Sequence, residues 1–374
     1  MFKFEIIHQS SRSRARVGRI HTPHGIIETP NFVPVATHAA IKAVDSILAQ
    51  SLDLQLVFCN TYHLMLHPGA EIVEAAGGVH AFMKRNAPII TDSGGFQIFS
   101  LVYGGVHAEL KSKGRKQHNN AVVRITEEGA IFRSYRDGQA LTLTPETSVQ
   151  AQKRIGADII LPLDELPPYH TTPEKLRFSF DRTHRWQKRS LDVHREHPKN
   201  QAMYGIIHGG VDSSLRMLSY DILSRLSFDG YAIGGSLGKN CAEMLVMLAQ
   251  LMPHISPQVP IHLLGIGDLP SLEGAVPLGI DTFDSAYPSR NARHGLLLTR
   301  NGPLNIVRSV HRSEHITIDD QCSCIVCATH TRAYLHHLFK AHELSACTLA
   351  TIHNLQYMVD LMRSYRERIL RDEI

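Results

Sequence analysis

The chain has 374 residues, of which 43% are hydrophobic, and carries a formal net charge of +4. This length suits either one large barrel-type domain or two smaller domains. Because no run of roughly eighteen apolar residues occurs and no apolar stretch follows the N-terminal charges, neither a membrane span nor a signal peptide is expected. These features predict a soluble, cytoplasmic protein.

The cysteines and the basic residues are unevenly distributed. Three of the six cysteines lie within six positions, which favours metal binding in a reducing compartment over a disulfide framework. Basic residues cluster over 12–16, over 111–116, and at Arg182, Arg185 and Arg189. A polyanionic partner is one explanation of these clusters, and ordinary solvated faces are the other.

Short apolar, β-branched runs alternate with helical periodicity along most of the chain. In chain order, the predicted strands end at Thr37, Asn60, Asp92, Asp164, His208, Gly235, Gly265 and Asp284. This alternation predicts an α/β fold, a closed (β/α)8 TIM barrel, whose catalytic groups lie at the C-terminal strand ends. A doubly wound open sheet is the alternative, but it would more naturally include a glycine-rich nucleotide-binding turn, which the sequence lacks.

Capping residues predict where one intervening helix begins and ends. Thr144 suits the N-cap, Pro145 the first helical position and Gly156 the C-terminal end. This helix lies between two predicted strands, as a strand–helix repeat requires.

Three segments do not fit the alternation and are predicted to decorate the barrel. Residues 1–30 resemble a hairpin with a turn over 22–25, 101–143 form a long insertion with turns near Gly129 and Gly138, and 306–347 carry the clustered cysteines. We therefore predict three units: a barrel over 1–305 that includes the hairpin and the insertion, a zinc-binding subdomain over 306–353, and a C-terminal helix over 354–374 that closes the barrel.

The clustered cysteines form the pattern C-x-C-x₂-C-x₂₅-H with a distant histidine. Cys322, Cys324, Cys327 and His353 supply three thiolates and one imidazole, which fill a tetrahedral zinc shell and leave no position for a reactive water. A helix is predicted between the cysteines and His353, and His353 is predicted to open a second one. We expect one structural Zn²⁺; unliganded core cysteines beside an unrelated histidine are the alternative.

Asp92 lies in the motif T-D-S-G-G-F-Q. Gly94 and Gly95 allow the backbone to approach a ligand closely, and Phe96 offers a flat face for stacking. This combination suits a planar heterocycle.

Asp164 and Asp284 end two further strands, so a barrel would bring three carboxylates to one mouth. Carboxylates so placed can act as general acid, nucleophile and hydrogen-bond acceptor, although aspartate is also common at helix caps and turns. Arg290 and Arg293 follow Asp284 closely, which suits binding of a phosphate or a base edge. Surface solubility is the alternative for the two arginines.

Taken together, T-D-S-G-G-F-Q, F-D-S-A-Y-P-S-R, G-Y-A-I-G-G, L-G-I-G-D and the cysteine–histidine pattern closely resemble a bacterial-type tRNA-guanine transglycosylase, from about residue 5 to about residue 370. That family is a (β/α)8 barrel with an inserted zinc subdomain. It exchanges guanine at the wobble position of tRNAs with G-U-N anticodons, which accept aspartate, asparagine, histidine or tyrosine, for a 7-deazaguanine base. The resemblance implies a pentosyltransferase of queuosine biosynthesis, active as a homodimer.

The resemblance also implies residue roles. Asp284 would be the nucleophile on the ribose anomeric carbon, and Asp92 the general acid and base. The implied base-binding residues are Ser93, Gly94, Gly95, Phe96, Asp164, His208, Gly234, Gly235, Gly238 and Leu264. The implied tRNA contacts are Gly265, Ile266, Gly267, Asp268, Leu269, Pro270, Ser271, Ser289, Arg290, Asn291, Ala292 and Arg293, which would read the anticodon loop with the target base flipped out.

Several positions depart from the bacterial pattern. His208 stands where most members have glutamine, and Asn240 where bacterial relatives have glutamate. Leu166 replaces a cysteine, and Gly238 replaces a valine whose absence would leave room for the cyclopentenediol of queuine. We therefore expect queuine as the incoming base, with its aminomethyl precursor as the alternative.

Two other functions compete with this interpretation. A non-catalytic, tRNA-binding partner subunit would have lost its catalytic aspartates, yet Asp92 and Asp284 are present. A barrel hydrolase acting on a phosphorylated sugar, with G-I-G-D as phosphate loop, would leave the zinc site unexplained. In the implied dimer, Tyr334 and His337 would form contacts through the zinc-side helix, where His330 replaces an aromatic residue of some relatives.

Overall fold

A computed structural model describes residues 2–116, 122–134 and 136–374, so part of the predicted 101–143 insertion lies outside the described residues. In chain order, the strands are β1 (Lys3–Gln9), β2 (Arg16–Thr22), β3 (Gly25–Thr29), β4 (Asn31–Pro34), β5 (Val57–Cys59), β6 (Ile89–Thr91), β7 (Val122–Ile125), β8 (Ala130–Arg133), β9 (Ala140–Leu143), β10 (Ile159–Ile160), β11 (Ala202–Ile207), β12 (Gly230–Ile233), β13 (Ile261–Leu263), β14 (Thr282–Ser285), β15 (Leu296–Leu297) and β16 (Leu304–Asn305).

The helices alternate with these strands over most of the chain. They are α1 (Ser46–Gln50), α2 (Thr61–Leu66), α3 (Ala70–Ala75), α4 (Gly78–Met83), α5 (Gly95–Tyr103), α6 (Val106–Ser112), α7 (Pro145–Ile155), α8 (Pro173–Glu196), α9 (Ser213–Ser224), α10 (Cys241–Leu251), α11 (Leu269–Ala275), α12 (Tyr287–Arg293), α13 (Ile325–Thr329), α14 (Arg332–Lys340) and α15 (Leu344–Leu370), with 3₁₀ turns at Met252–His254, Val276–Leu278 and Ser309–Ser313.

Eight parallel strands form the central sheet, in the order β4-β14-β13-β12-β11-β10-β6-β5. The two outer strands meet through a parallel bridge between Val35 and Phe58, which closes the sheet into a barrel. Each predicted barrel strand is present, and the predicted (β/α)8 fold is confirmed. None of the described helices is both long enough and apolar enough to span a lipid bilayer.

The barrel strands are buried on both faces, which explains their nearly continuous apolar sequences. Along β11, Ala202, Tyr204 and Ile206 belong to one buried cluster, whereas Met203 and Ile207 belong to another. Because successive side chains of a strand point to opposite faces, the first cluster fills the barrel and the second packs under the helices.

The N-terminal segment forms a three-stranded antiparallel sheet, β1-β2-β3, in which β2 and β3 form the expected hairpin and β1 adds a third strand. Its turn lies between the paired residues Thr22 and Gly25, as expected. Ile20 and Ile27 extend the cluster that fills the barrel, so this sheet covers one barrel end. The apolar side chains of this sheet thus bury one end of the barrel core.

The insertion and the α7 helix follow their local sequence signals. Strands β7, β8 and β9 form an antiparallel sheet, with its turns at the two glycine positions predicted. Thr144 caps α7 by accepting a hydrogen bond from the Thr147 N–H, Pro145 is the first helical residue and Gly156 ends the helix in the left-handed conformation. Only a residue without a Cβ adopts that conformation at little cost.

The C-terminal helix is longer than expected. Its first residue is Leu344, so His353 lies inside α15 instead of opening a helix, and the predicted boundary between 353 and 354 falls within one continuous helix. The error has a physical reason, because the N-cap residue Glu343 makes no side-chain capping hydrogen bond and gives no sequence signal.

Candidate active site and metal centre

Three aspartates lie buried at the C-terminal ends of barrel strands. Asp92 follows β6, Asp164 follows β10 and Asp284 lies in β14, and their exposed fractions are 7%, 8% and 6%. Carboxylates this buried need specific hydrogen-bond partners, because burying an unpaired charge is costly. Their partners differ, and the difference defines what each can do.

Asp92 is hydrogen-bonded at both oxygens. Oδ2 accepts from Asn60 Nδ2 at 2.6 Å and from Gln97 Nε2 at 2.9 Å, and Oδ1 accepts from the Thr61 N–H at 2.7 Å. Burial raises the pKa of Asp92 to about 6, helped by the nearby carboxylate of Asp284 and opposed by these three hydrogen bonds. A carboxyl group with a pKa near neutrality can both donate and accept a proton.

Asp284 is held at one oxygen only. Oδ1 accepts hydrogen bonds from the Gly265 N–H at 2.8 Å and from His262 Nε2 at 3.1 Å. His262 is completely buried, and its Nδ1 lies 2.8 Å from the Thr282 hydroxyl, which fixes the ring. Within the described part of the chain, no hydrogen bond reaches Oδ2, so this oxygen keeps its lone pairs for a reacting atom.

Asp164 connects the loops that follow three strands. Oδ1 accepts from the Ser93 hydroxyl at 3.1 Å, and Oδ2 lies 2.8 Å from His208 Nε2. A Cβ on Gly95 would lie 2.4 Å from the Asp164 backbone oxygen and from Oδ1, so only glycine fits there. The close approach anticipated for the glycine pair is therefore toward Asp164, and it brings Phe96, which is 47% exposed, to the start of α5.

Two glycines line the end of β12 beside the same residues. A Cβ on Gly234 would lie 3.0 Å from Leu264 Cδ1, and a Cβ on Gly235, whose φ is +77°, would lie 2.9 Å from His208 Nδ1. The predicted base-binding residues Asp164, His208, Gly235, Gly234 and Leu264 thus form a continuous chain of neighbours. Because Gly265, next to Leu264, donates its N–H to Asp284, this row of neighbours links Asp164 to Asp284.

A buried arginine that the sequence analysis did not identify fixes the loops that carry these residues. Arg216 is fully buried, and burial lowers its pKa to about 9. Its guanidinium donates hydrogen bonds to the backbone oxygens of Gly210, Ile207, Gly234 and Ser236. These carbonyls satisfy the buried cation and fix the loops that follow β11 and β12.

The segments predicted to contact tRNA lie on the same side of the barrel. Asp268 caps α11 by accepting from the Ser271 N–H at 3.2 Å, so this pair has a structural role as well. Arg290 is exposed and Arg293 half-buried, and Arg293 Nη1 has no hydrogen-bond partner in the described part of the chain. Within the described ranges, neither guanidinium lies within ion-pair distance of a carboxylate.

The arginines of α8 differ from these two. Arg182, Arg185 and Arg189 form ion pairs with Glu165, Glu127 and Glu146. Arg16 likewise pairs with the buried Asp281. Arg16 and the α8 cluster are therefore paired within the molecule, which at these positions favours an ordinary ion-paired surface over a polyanion-binding one.

Cys322, Cys324, Cys327 and His353 converge, with their ligand atoms all within 4.8 Å of one another. His353 Nδ1 lies 3.3 Å from Cys327 Sγ and 3.7 Å from Cys324 Sγ. Sulfur and nitrogen ligands of a tetrahedral zinc ion are about 3.6 Å apart, so the separations suit such an ion. His353 Nε2 donates to the Leu298 carbonyl at 2.8 Å, which turns Nδ1 toward the thiols. The cluster can hold a metal ion.

A second cluster gathers His24, His80 and Asp158 at the opposite barrel end. Each imidazole hydrogen-bonds one Asp158 oxygen, at 2.8 Å and 3.0 Å. The rings stack with centroids 3.6 Å apart and planes inclined by 14°. Because a metal ion must lie near the plane of each ligating ring, one ion cannot serve both rings in this arrangement. The cluster instead fastens the β2–β3 turn to the barrel.

The partners of the catalytic candidates were largely invisible in the sequence. Gln97 belongs to the T-D-S-G-G-F-Q motif and Asn60 ends a predicted strand, but neither position indicates a contact with Asp92. His262 lies inside β13, where alternation with its apolar neighbours was the one available signal.

Comparisons with known proteins agree with the geometry. The sequence model of the family described as "Queuine tRNA-ribosyltransferase" matches residues 10–374. A protein of that name from Protochlamydia amoebophila is 58% identical over all of this chain and 96% of its own length. Its namesakes from Chlamydia caviae and Chlamydia trachomatis serovar D are 53% and 54% identical, over all of this chain and 99% of theirs. The chain therefore belongs to the queuine tRNA-ribosyltransferase family, as its motifs predict.

Proposed function

We propose that this pentosyltransferase replaces guanine at the wobble position of tRNAs with G-U-N anticodons by a 7-deazaguanine base, through a covalent aspartyl–ribose intermediate. The observation that carries the proposal is the contrast between two neighbouring carboxyl groups. Asp92 is hydrogen-bonded at both oxygens and burial raises its pKa to about 6, whereas one oxygen of Asp284 receives no hydrogen bond from the residues that the structure describes.

The reaction follows the logic of retaining glycosidases, in which one carboxylate attacks the anomeric carbon and a second carboxyl group handles protons. Asp284 Oδ2 attacks C1′ of the ribose as its bond to guanine breaks, and Asp92 gives a proton to the departing ring nitrogen. The incoming base then loses its ring proton to Asp92 and attacks C1′, which releases Asp284. Both carboxyl groups return to their starting states, so no energy source is required.

The base would lie among the residues around Asp164. Asp164 would accept hydrogen bonds from the amidine edge of the base, and Phe96 and Leu264 would stack on its two faces. Ser93 and His208 already orient the Asp164 carboxylate in the protein alone. Because His208 Nε2 donates to Asp164, a neutral His208 has only an acceptor left at Nδ1, so it would act on the base chiefly by holding Asp164 and cannot reproduce the paired donor and acceptor of a glutamine amide.

Queuine is the proposed incoming base. Gly238 provides no side chain where a valine would stand, and its φ of +115° is a conformation that other residues rarely adopt. The cyclopentenediol of queuine would extend past this glycine.

For tRNA binding, we propose the segment from Gly265 to Ser271 together with α12. Neither Arg290 nor Arg293 forms an ion pair with a described residue, which leaves their charges for phosphates or base edges. The target guanine would be flipped out of the anticodon loop to reach the buried aspartates.

We propose that the Cys₃His cluster holds one structural Zn²⁺, since four protein ligands leave no position for a water molecule. Nearby, Tyr334 is 46% exposed and stacks on His330, with ring centroids 5.2 Å apart. An exposed tyrosine on α14, stacked on the half-buried His330 just before that helix, suits a homodimer contact. Reduced thiolate ligands and a tRNA substrate both fit a cytoplasmic location.

A competition assay tests the incoming base. Purified enzyme and a tRNA with a G-U-N anticodon are offered equal concentrations of queuine and of its aminomethyl precursor, and the base found in the tRNA is identified by mass spectrometry. We expect queuine to be incorporated preferentially. A clear preference for the precursor would contradict queuine as the substrate, and failure to incorporate either base would contradict the exchange activity itself.

A further inference from the structure

The loop after β12 brings an acidic side chain to the edge of the proposed base pocket. A Cβ on Gly238 would lie 3.0 Å from Glu243 Oε2 and 3.3 Å from the Cβ and Cγ of Glu243. The space beside Gly238 is therefore bordered by the Glu243 side chain. A substituent of the base that passes this glycine meets a carboxylate.

This carboxylate is held in place by neutral donors. Oε1 accepts a hydrogen bond from Tyr169 Oη at 3.0 Å, and Oε2 accepts one from the Lys239 N–H at 2.7 Å. A carboxylate oxygen can accept two hydrogen bonds, so each oxygen keeps one position for a donor of a ligand.

Neighbouring carboxylates are differently paired. Glu165 forms an ion pair with Arg182 at 2.9 Å, and the buried Glu109 lies 3.1 Å from His170 Nδ1. For Glu243, no lysine, arginine or histidine side chain of the described residues lies within ion-pair distance. Its negative charge is thus uncompensated at the place where a ligand would pass.

The Tyr169–Glu243 hydrogen bond also joins two loops of the pocket. Tyr169 lies on the segment that leaves Asp164, and Glu243 lies in the first turn of α10, after Gly235 and Gly238. The pair therefore connects the loop of Asp164, which would bind the amidine edge of the base, to the loop of Gly235, which would bind its carbonyl side.

We propose that Glu243, supported by Tyr169, determines specificity by binding the cyclopentenediol of the incoming base. The inference rests on the proposed function, and in particular on queuine as substrate. A carboxylate is well suited to vicinal hydroxyls, as in the binding of ribose hydroxyls by an acidic residue in dinucleotide-binding folds. Guanine, which has no substituent there, does not use the contact.

The test measures exchange kinetics of the full-length enzyme with three incoming bases: queuine, the aminomethyl precursor and labelled guanine. Glu243→Gln keeps the shape of the side chain and an acceptor for the Lys239 N–H but removes the charge. We expect KM for queuine to rise about tenfold or more, as for loss of a hydrogen bond to a charged group, and KM for guanine to stay within about twofold. Tyr169→Phe should shift KM in the same direction by a smaller factor.

Glu174→Gln is the matched control, because Glu174 is an exposed glutamate in the first turn of α8 and the same charge is removed at a helix N-terminus. It should leave all three KM values unchanged. If KM rose equally for queuine and guanine in Glu243→Gln, or rose for neither, the specificity proposal would be overturned although queuine remained a substrate. Failure of the unmodified enzyme to incorporate queuine would instead refute the incoming base, and the role of Glu243 with it.

Discussion

The barrel mouth and the Cys₃His cluster both bring reactive side chains together, but they differ in how many of the polar atoms already have a partner within the protein. At the mouth, Asp284 Oδ2 has no hydrogen-bond partner among the described residues, and Asp92 has a pKa of about 6. In the cluster, four ligands face one another, and the second nitrogen of His353 is bound to the Leu298 carbonyl. A carboxylate oxygen without a hydrogen bond can react with a substrate, whereas four converging ligands with no position for water suit a structural ion.

The largest expected effect follows from removing the free carboxylate oxygen. Asp284→Asn should reduce guanine exchange by at least about 10⁴-fold, because an amide is a poor nucleophile and no other group replaces it. Asp281→Asn is the control, because it makes the same change at a nearby aspartate that pairs with Arg16. This control variant should lower stability but not the exchange rate per folded molecule. Rates are measured with labelled guanine; retained exchange in Asp284→Asn would contradict the assignment.

Replacing the other carboxyl group should have a smaller effect. Asp92→Asn removes the proton carrier but leaves the nucleophile, so exchange should fall by about 10²- to 10⁴-fold, the range typical of general acid–base catalysis. Single-turnover measurement of guanine release isolates this step. A loss of less than about tenfold would move the proton transfer to another group.

The barrel strands and the positions of both sites were largely predictable from the sequence. The buried strands are continuous apolar runs, so their ends and the three aspartates could be located, and the cysteine spacing identified the cluster that can hold a metal ion. Contacts that join distant segments were not predictable: Asn60 is far from Asp92 in the chain, and the three glutamates that pair with the α8 arginines lie in three different segments, only one of them in the insertion. The start of α15 was missed because Glu343 provides no side-chain cap.

Disrupting the metal cluster should change stability more than chemistry. His353→Ala removes a buried side chain of α15 that faces the three cysteines, and we expect the unfolding free energy to fall by about 4 kcal/mol or more. Denaturant unfolding and metal analysis of the purified variant measure the two effects. If exchange per folded molecule vanished while stability, metal content and tRNA binding were kept, the structural role would be wrong.

Acidity should affect stability through Asp92. Its pKa is raised to about 6 in the folded protein, so the folded state holds this proton more tightly than the unfolded state does. The associated stability, at most about 3 kcal/mol, is fully present below about pH 4 and is lost as the pH rises through about 6. The unfolding free energy of the wild type relative to Asp92→Asn should therefore fall over this window, and a flat difference would contradict the raised pKa.

The smallest effect concerns the choice of base. Gly238→Val should reduce queuine incorporation about tenfold relative to the precursor, because the added side chain would collide with Glu243 and fill the space beside it. The ratio of the two incorporation rates, measured in one reaction mixture, separates this effect from any general loss of activity. An unchanged ratio would show that Gly238 does not govern the choice.

Trapping the covalent intermediate tests the central claim most directly. Enzyme and tRNA are mixed without an incoming base, quenched in denaturant and resolved by denaturing electrophoresis, with the attachment site identified by mass spectrometry of the digested adduct. We predict a denaturant-stable tRNA–protein adduct attached through Asp284 and absent from Asp284→Asn, which still binds tRNA. An adduct of undiminished yield in Asp284→Asn, or one attached at Asp92, would contradict the account.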